Sequence, residues 1–527
     1  MYKGQFKYFF TLLFLLAFTV IVVGCSSKSG SENQSGSQDN TKGETANSVE
    51  GTPQKGGEAV IGYPADITNY DPILSNSGSD QALLWPVYDT LVTFNQKLEP
   101  QPGLAKSWEF PDEKTIVFHL QEDVKFHDGT TFDAEAVKFN IERANSDDSS
   151  VSELKNIDRV EVIDPLTVKF HLKQPDSSLI LVLTDYGGMM VSPTAVKENG
   201  ENYSQHPVGA GPYKFVSRVP NGEIVLEPFE DYWGEGKPYL DKLTIKIMSD
   251  ENTRINALKS GEIDLAYYMS AANLQSLESD SNIEVKKTLG MQRPQLYINR
   301  NMAPFDNKAF RLAVQHGINR EAIVTALNFG DGEPAYGDFP SGHWAHDENA
   351  KIEYDPEKAK KLLQEAGLED ASFTLLHFSV AYESRLAETI KSQLKEIGIE
   401  VTLQPMELTA AVSTFFAEKG TPALLASATG KPDPQMLTNS QYSENSFYNL
   451  GEGPSEIDSL LAKAVSTSDL KERAEIYHEV GRHAMLEEAR VIPLFFPSAI
   501  DAMNPKLKGY EPNMMAKGVF STIWLEQ

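Results

Sequence analysis

The residues able to do chemistry are few, and most fail on spacing. His343-Trp344-Ala345-His346-Asp347 sets two imidazoles and a carboxylate within five positions, a donor set that suits nickel or zinc. The same run also reads as a polar loop wrapped around a buried tryptophan, and that is the preferred reading. His478 and His483 are five apart, so on a helix they point about 140° apart and cannot share one metal. Gly209-Ala210-Gly211-Pro212 begins like a phosphate-cradling glycine loop, but Pro212 and the following Tyr213-Lys214-Phe215-Val216 make it a turn entering a strand. No GxSxG nucleophile elbow, P-loop or HExxH motif is present. The usual catalytic and cofactor motifs are thus absent, so neither an enzyme nor a cofactor is expected.

The single cysteine carries a different chemistry. Lys3 and Lys7 precede an apolar stretch from Tyr8 to Val23, the layout of a signal peptide over residues 1–24. Val22-Val23-Gly24-Cys25 has the form of a bacterial lipobox, which predicts cleavage before Cys25 and lipidation of its sulfur. Each buried CH₂ of an acyl chain contributes about 0.8 kcal/mol, so several chains hold a protein on a bilayer. Residues 26–55 are mainly Ser, Gly, Asn, Gln and Lys; residues 25–55 therefore read as lipidated cysteine and tether.

These features sit on a long acidic chain. The 527 residues hold 47 Lys+Arg against 75 Asp+Glu, a formal charge of −28 that becomes −30 once Lys3 and Lys7 are removed. Such a balance disfavours nucleic acid, which requires basic side chains to displace counterions. One cysteine excludes a disulfide framework and CxxC metal sites. With 40% hydrophobic residues the chain can bury large cores.

Past residue 56, strands and helices alternate. Thr115–Leu120, Leu243/Ile245/Ile247 and Ile399–Leu403 alternate as strands. Asp133 and Asp355-Pro356 open helices, and Gly261, Gly367 and Gly398 close them. This pattern predicts mixed α/β sheets covered by helices.

Several segments, in order, resemble the family 5 extracellular solute-binding proteins of ABC importers, the peptide- and nickel-binding group. They are Gly103-Leu-Ala-Lys-Ser-Trp108, Val124-Lys-Phe126-His127-Asp128-Gly129, Pro207-Val-Gly209-Ala-Gly211-Pro212-Tyr213 and Asp231-Tyr232-Trp233. Ser260-Gly261-Glu262-Ile263-Asp264, Ala303-Pro304-Phe305-Asp306, Asn319-Arg320 and Tyr354-Asp355-Pro356-Glu357-Lys358-Ala359 continue the match. The resemblance implies a two-lobed, periplasmic-binding-protein-like α/β fold with hinge strands and an inserted subdomain. Lobe I would comprise 56–89, 206–296 and 481–527, the insert 90–205, and lobe II 297–480. It also implies a monomer outside the cell, lipid-anchored to the outer face of the cytoplasmic membrane. That monomer would deliver a small solute, a peptide or peptide-like molecule, to permease subunits.

Site residues follow from the same resemblance. Peptide-binding members carry an Asp for the α-amine where this chain has Gly430, in Thr429-Gly430-Lys431-Pro432-Asp433-Pro434, and an Arg for the carboxylate near His377. The usual clamp is therefore expected to be missing. Lys431 or Arg293 would face an anion, and Asp433 could replace the lost acid. Trp85, Tyr88, Trp344, Tyr442, Phe447 and Tyr448 are aromatic candidates for the cleft, and Ser77, Gly78 and Ser79 form a small polar loop at the cleft position. A nickel–chelator complex held by His343 and His346, or an opine-type anion, is the alternative cargo. A peptide-sensing lipoprotein and a secreted hydrolase are more distant readings.

Overall fold

Strand Lys242–Ile247 buries Leu243 and Ile245 completely, and it is an interior strand of a seven-stranded sheet. A computed structural model describes residues 51–75, 80–444, 446–451 and 455–527. The signal peptide, Cys25, most of the tether and Ser77, Gly78 and Ser79 lie outside the described residues. The sheet runs Glu284–Leu289, Ser498–Met503, Leu265–Ala266, Glu58–Tyr63, Lys242–Ile247, Glu223–Pro228, Tyr213–Arg218. Glu58–Tyr63 pairs in parallel with Lys242–Ile247, while the other long pairs are antiparallel.

A second sheet has five strands: Glu400–Met406, Ser372–Phe378, Ala423–Ala428, Arg293–Ile298, Val491–Pro493. Helix Ala381–Glu396 covers one face, with Leu386, Ile390 and Leu394 at four-residue spacing, all buried against Leu375 and Leu425. Each such side chain contributes about 1.5–3 kcal/mol by leaving water. A third sheet is an antiparallel set of Ala105–Asp112, Thr115–Leu120, Thr167–Leu172 and Ile157–Asp164. Helix Ala134–Ala144 packs Val137 and Ile141 into its core beside Ile116 and Phe118.

Helix ends follow the expected chemistry. The Asp133 carboxylate accepts the Ala136 N–H, and the Asp355 carboxylate accepts the Lys358 N–H. Gly261 closes its helix in the left-handed region at φ 75°, where a side chain would strain the backbone.

Two boundaries differ from expectation, the first because the 296/297 cut falls inside strand Arg293–Ile298 of the five-stranded sheet. Val491–Pro493, placed with lobe I in the sequence reading, pairs with Arg293–Ile298 in the five-stranded sheet. The chain rejoins the seven-stranded sheet only at Ser498. Val491 and Ile492 are buried in the five-stranded body's cores, and that burial decides the assignment.

Candidate functional site

The chain passes between the seven- and five-stranded sheets at 290–292 and again at Pro497. The two passages are joined, because the Gly290 N–H donates to the Pro497 carbonyl at 2.8 Å. Beside them lies a cavity of about 750 Å³, within the size range of small-molecule sites. Gly290, Met291, Gln292, Pro497, Ser498 and Ala499 form its floor. Thr429, Gly430, Lys431 and Met436 come from the five-stranded side. Ser150, Glu153, Asp185 and Tyr186 come from around the four-stranded sheet.

A C-terminal loop completes the wall with Met514, Met515, Ala516 and Lys517. Asn513 shapes it: its side-chain oxygen accepts the N–H groups of Met515 at 3.1 Å and Lys517 at 3.2 Å. The Tyr267 and Tyr268 hydroxyls donate to the Ala516 carbonyl at 3.0 and 2.8 Å, and the Met291 N–H donates to the Met514 carbonyl at 2.9 Å. The loop is thus bolted to both the sheet and a chain crossing.

Lys517 is buried. Its ammonium lies 3.7 Å from the Asp185 carboxylate and 5.7 Å from the Trp85 ring centre. Burial pushes its pKa down, Asp185 opposes that, and the charge of Lys431 lowers it further. Lys431 is half-buried and makes no hydrogen bond or ion pair among the described residues.

A second set of bonds ties the bodies together away from the crossings. The Ser177 N–H donates to the Val465 carbonyl at 2.7 Å and its hydroxyl to the Ala464 carbonyl at 3.3 Å. The Trp344 N–H donates to the Lys97 carbonyl at 3.2 Å. The bodies are therefore in contact at more than the crossings.

Of the sequence-predicted residues, Gly430 and Lys431 line the cavity. Trp85 stands behind its wall, under Lys517. The others lie elsewhere, each with its own partners. Arg293 is buried, 3.1 Å from Asp338, and donates to Gln295 Oε1 at 2.7 Å, so it faces no solute. Tyr442 is buried and donates to the same Asp338 at 2.8 Å. Asp433 caps helix Pro434–Tyr442 and accepts two bonds from buried Arg473 at 2.8 and 3.0 Å, so it cannot replace the lost acid. His377 is buried and its Nδ1–H donates to the Phe378 carbonyl at 2.9 Å. Tyr88 is buried, with its hydroxyl on the Tyr70 carbonyl. Phe447 and Tyr448 are exposed and pack on Phe416.

The His343/His346 metal site is not formed. His343 is buried, stacked between Phe339 and Trp344, and burial lowers its pKa to about 3. Its Nδ1 accepts the Ala345 N–H, whereas the Nδ1–H of His346 donates to the Phe339 carbonyl. Trp344 packs on Tyr477 with Arg473 over its ring. No group of three or more His, Cys, Asp or Glu able to hold a metal occurs among the described residues.

Residues 99–449 match the model of the bacterial extracellular solute-binding proteins, family 5 Middle, which is well over half the chain. The chain belongs to the family 5 solute-binding proteins. Among curated relatives, the glutathione-binding protein GsiB of Salmonella paratyphi A is 29% identical over 469 residues, covering 86% of this chain and 91% of the relative. Among solved structures, the ABC transporter-associated periplasmic binding protein DppA from Helicobacter pylori, in complex with peptide STSA, superposes with a TM-score of 0.74 at 28% identity. It covers 90% of this chain and 99% of that one. AgaA of A. tumefacien R10, in complex with agropinic acid, gives a TM-score of 0.73 at 27% identity over 89% of this chain and 99% of that one. The fold is accordingly the two-lobed one of this family, and the protein is a solute-binding component of an ABC importer.

Sequence reasoning missed the second cation. Lys517 lies 86 positions beyond Lys431, in a loop with no periodic or motif signal. Asp185 and Tyr186 likewise stand out only once the sheets bring them to the cavity.

Proposed function

We propose that this family 5 protein captures a peptide or peptide-like solute in the cavity between its sheets and hands it to the permease subunits of its importer. The placement of that cavity carries the reading, since both chain crossings form its floor and groups from both bodies form its walls. The lobes are the seven-stranded body with its four-stranded insert and the five-stranded body. Residues 290–292 and Pro497 are the hinge. Closure around a solute is driven by its tighter binding to the closed form. A micromolar complex needs only about −8 kcal/mol, within reach of one enclosed small molecule. Release follows reopening, and no bond in the solute is broken. The protein acts as a monomer, held by lipid on Cys25 at the outer face of the cytoplasmic membrane, after removal of residues 1–24 and on a tether of residues 25–55.

An opine-type acid is the second reading, favoured by the convergence of Lys431 and Lys517 and by the likeness to AgaA. Native mass spectrometry and calorimetry of the full chain in detergent decide between them. The ligand panels are di- to tetrapeptides, glutathione, opines and nickel chelates. Peptide binding with compaction in small-angle scattering is the expected result. Binding of no small solute, with no compaction, would overturn the reading.

A further inference from the structure

We propose that the cavity reads the carboxylate end of a peptide and leaves its amine end unread, so that a free C-terminus is required and a free N-terminus is not. The inference rests on the peptide reading and sharpens it. Lys431 and Lys517 enter one cavity from different parts of the chain, although the protein as a whole carries −28. Like charges brought together in a low-dielectric wall repel, and an anion between them removes that cost. Lys431 holds no partner of its own among the described residues. The Lys517 ammonium has three N–H donors and one ion pair, to Asp185 at 3.7 Å, so donors remain for a solute.

Among the described residues, the acids lining the cavity are Asp185 and Glu153. Asp185 is held by Lys517 and by the Tyr186 N–H at 2.8 Å. One Glu153 oxygen takes the Ser152 N–H at 3.0 Å and its hydroxyl at 3.3 Å. Gly430, the neighbour of Lys431, offers no side chain and has no room for one against Met291. An anion in the cavity therefore meets two lysines, while neither acid is left wholly uncommitted for an ammonium.

The remaining surface is soft. Met291, Met436, Met514 and Met515 supply four flexible thioether chains, which repack around different apolar shapes. The structure thus assigns the carboxylate to a fixed charged pole and the side chains to an adaptable wall.

The test uses the full chain in detergent and one di- to tetrapeptide pool made in three forms: free, N-acetylated and C-terminally amidated. Native mass spectrometry is expected to show the free and N-acetylated pools bound within about threefold of one another, and the amidated pool at least tenfold weaker. Lys431→Met is expected to weaken the free pool at least tenfold and the amidated pool less than twofold. Loss of binding on acetylation, or equal binding of the amidated pool, overturns the proposal while leaving the peptide reading intact. Equal losses in both pools for Lys431→Met also overturn it, because they mean the lysine acts on the fold. Binding of no pool removes the peptide reading and this inference with it.

Discussion

A β-carbon built on Gly430 would lie 2.3 Å from the β-carbon of Met291. Met291 sits in the first passage between the sheets, and Gly430 follows strand Ala423–Ala428 of the five-stranded sheet. The two segments meet so closely that hydrogen is the only side chain the site admits. Any side chain at position 430, an acid included, would have to displace Met291.

Gly430→Ala is therefore expected to destabilise the protein by about 1–3 kcal/mol, the usual cost of forcing a group into a full site. Urea titration followed by tryptophan fluorescence would measure it. Gly430→Asp is expected to be worse and to add no affinity for free amines. A stable Gly430→Asp variant with tighter amine binding would contradict the geometry.

Asp433 is a structural carboxylate. It caps a helix and pairs with Arg473, which is only 2% exposed. Asp433→Ala strands a buried guanidinium, a change that typically costs about 3–5 kcal/mol. Denaturant unfolding should show this loss, whereas the ratio of affinities for free and acetylated peptides should stay at its original value in the folded fraction.

Asp501 gives a pH signature. It is buried in strand Ser498–Met503, accepts the Tyr268 N–H at 2.8 Å and the Tyr510 hydroxyl at 2.7 Å, and burial raises its pKa to about 6. The folded state therefore holds this proton more tightly than the unfolded chain does. The stability it contributes is full below the ordinary value of 3.8 and is lost as pH rises through about 6. In Asp501→Asn the amide oxygen keeps the Tyr268 bond and the NH₂ donates to the Tyr510 oxygen. Relative to the parent, this variant should gain roughly 2 kcal/mol between pH 4 and pH 7, readable as a widening difference in Tm. Buried His127, whose pKa burial lowers to about 4, is common to both proteins and cancels in the comparison. A flat difference would show that Asp501 is ionised at little cost.

The bond from Ser177 to Val465 joins the two bodies at 2.7 Å. Ser177→Pro removes that donor together with the hydroxyl that donates to the Ala464 carbonyl. At about 0.5–1.5 kcal/mol per hydrogen bond, losing both should weaken solute binding between about fivefold and 150-fold. Scattering should show the solute-free variant more expanded than the parent. Unchanged affinity and shape would mean that closure does not use this contact.

Much was legible in the residues themselves. Alternation marked Thr115–Leu120 and Lys242–Ile247, the Asp133 and Asp355 caps marked helix starts, and Gly261 marked a helix end, because these signals act over a few residues. The ordered motifs from Gly103 to Ala359 carried the family. The motif around position 430 lacks an acid there and places Lys431 beside it as a cation. Tertiary structure alone decided which charges meet. Arg293 looked as available as Lys431, yet Asp338, 45 positions away, neutralises it within the core. Asp433 and Arg473 cancel one another in the same manner. Lys517 became a site residue because Asn513 folds its loop and two tyrosines hold it to the sheet. Burial and ion pairing depend on partners distant in the chain, so a local pattern names the charged groups but not the ones left free for a solute.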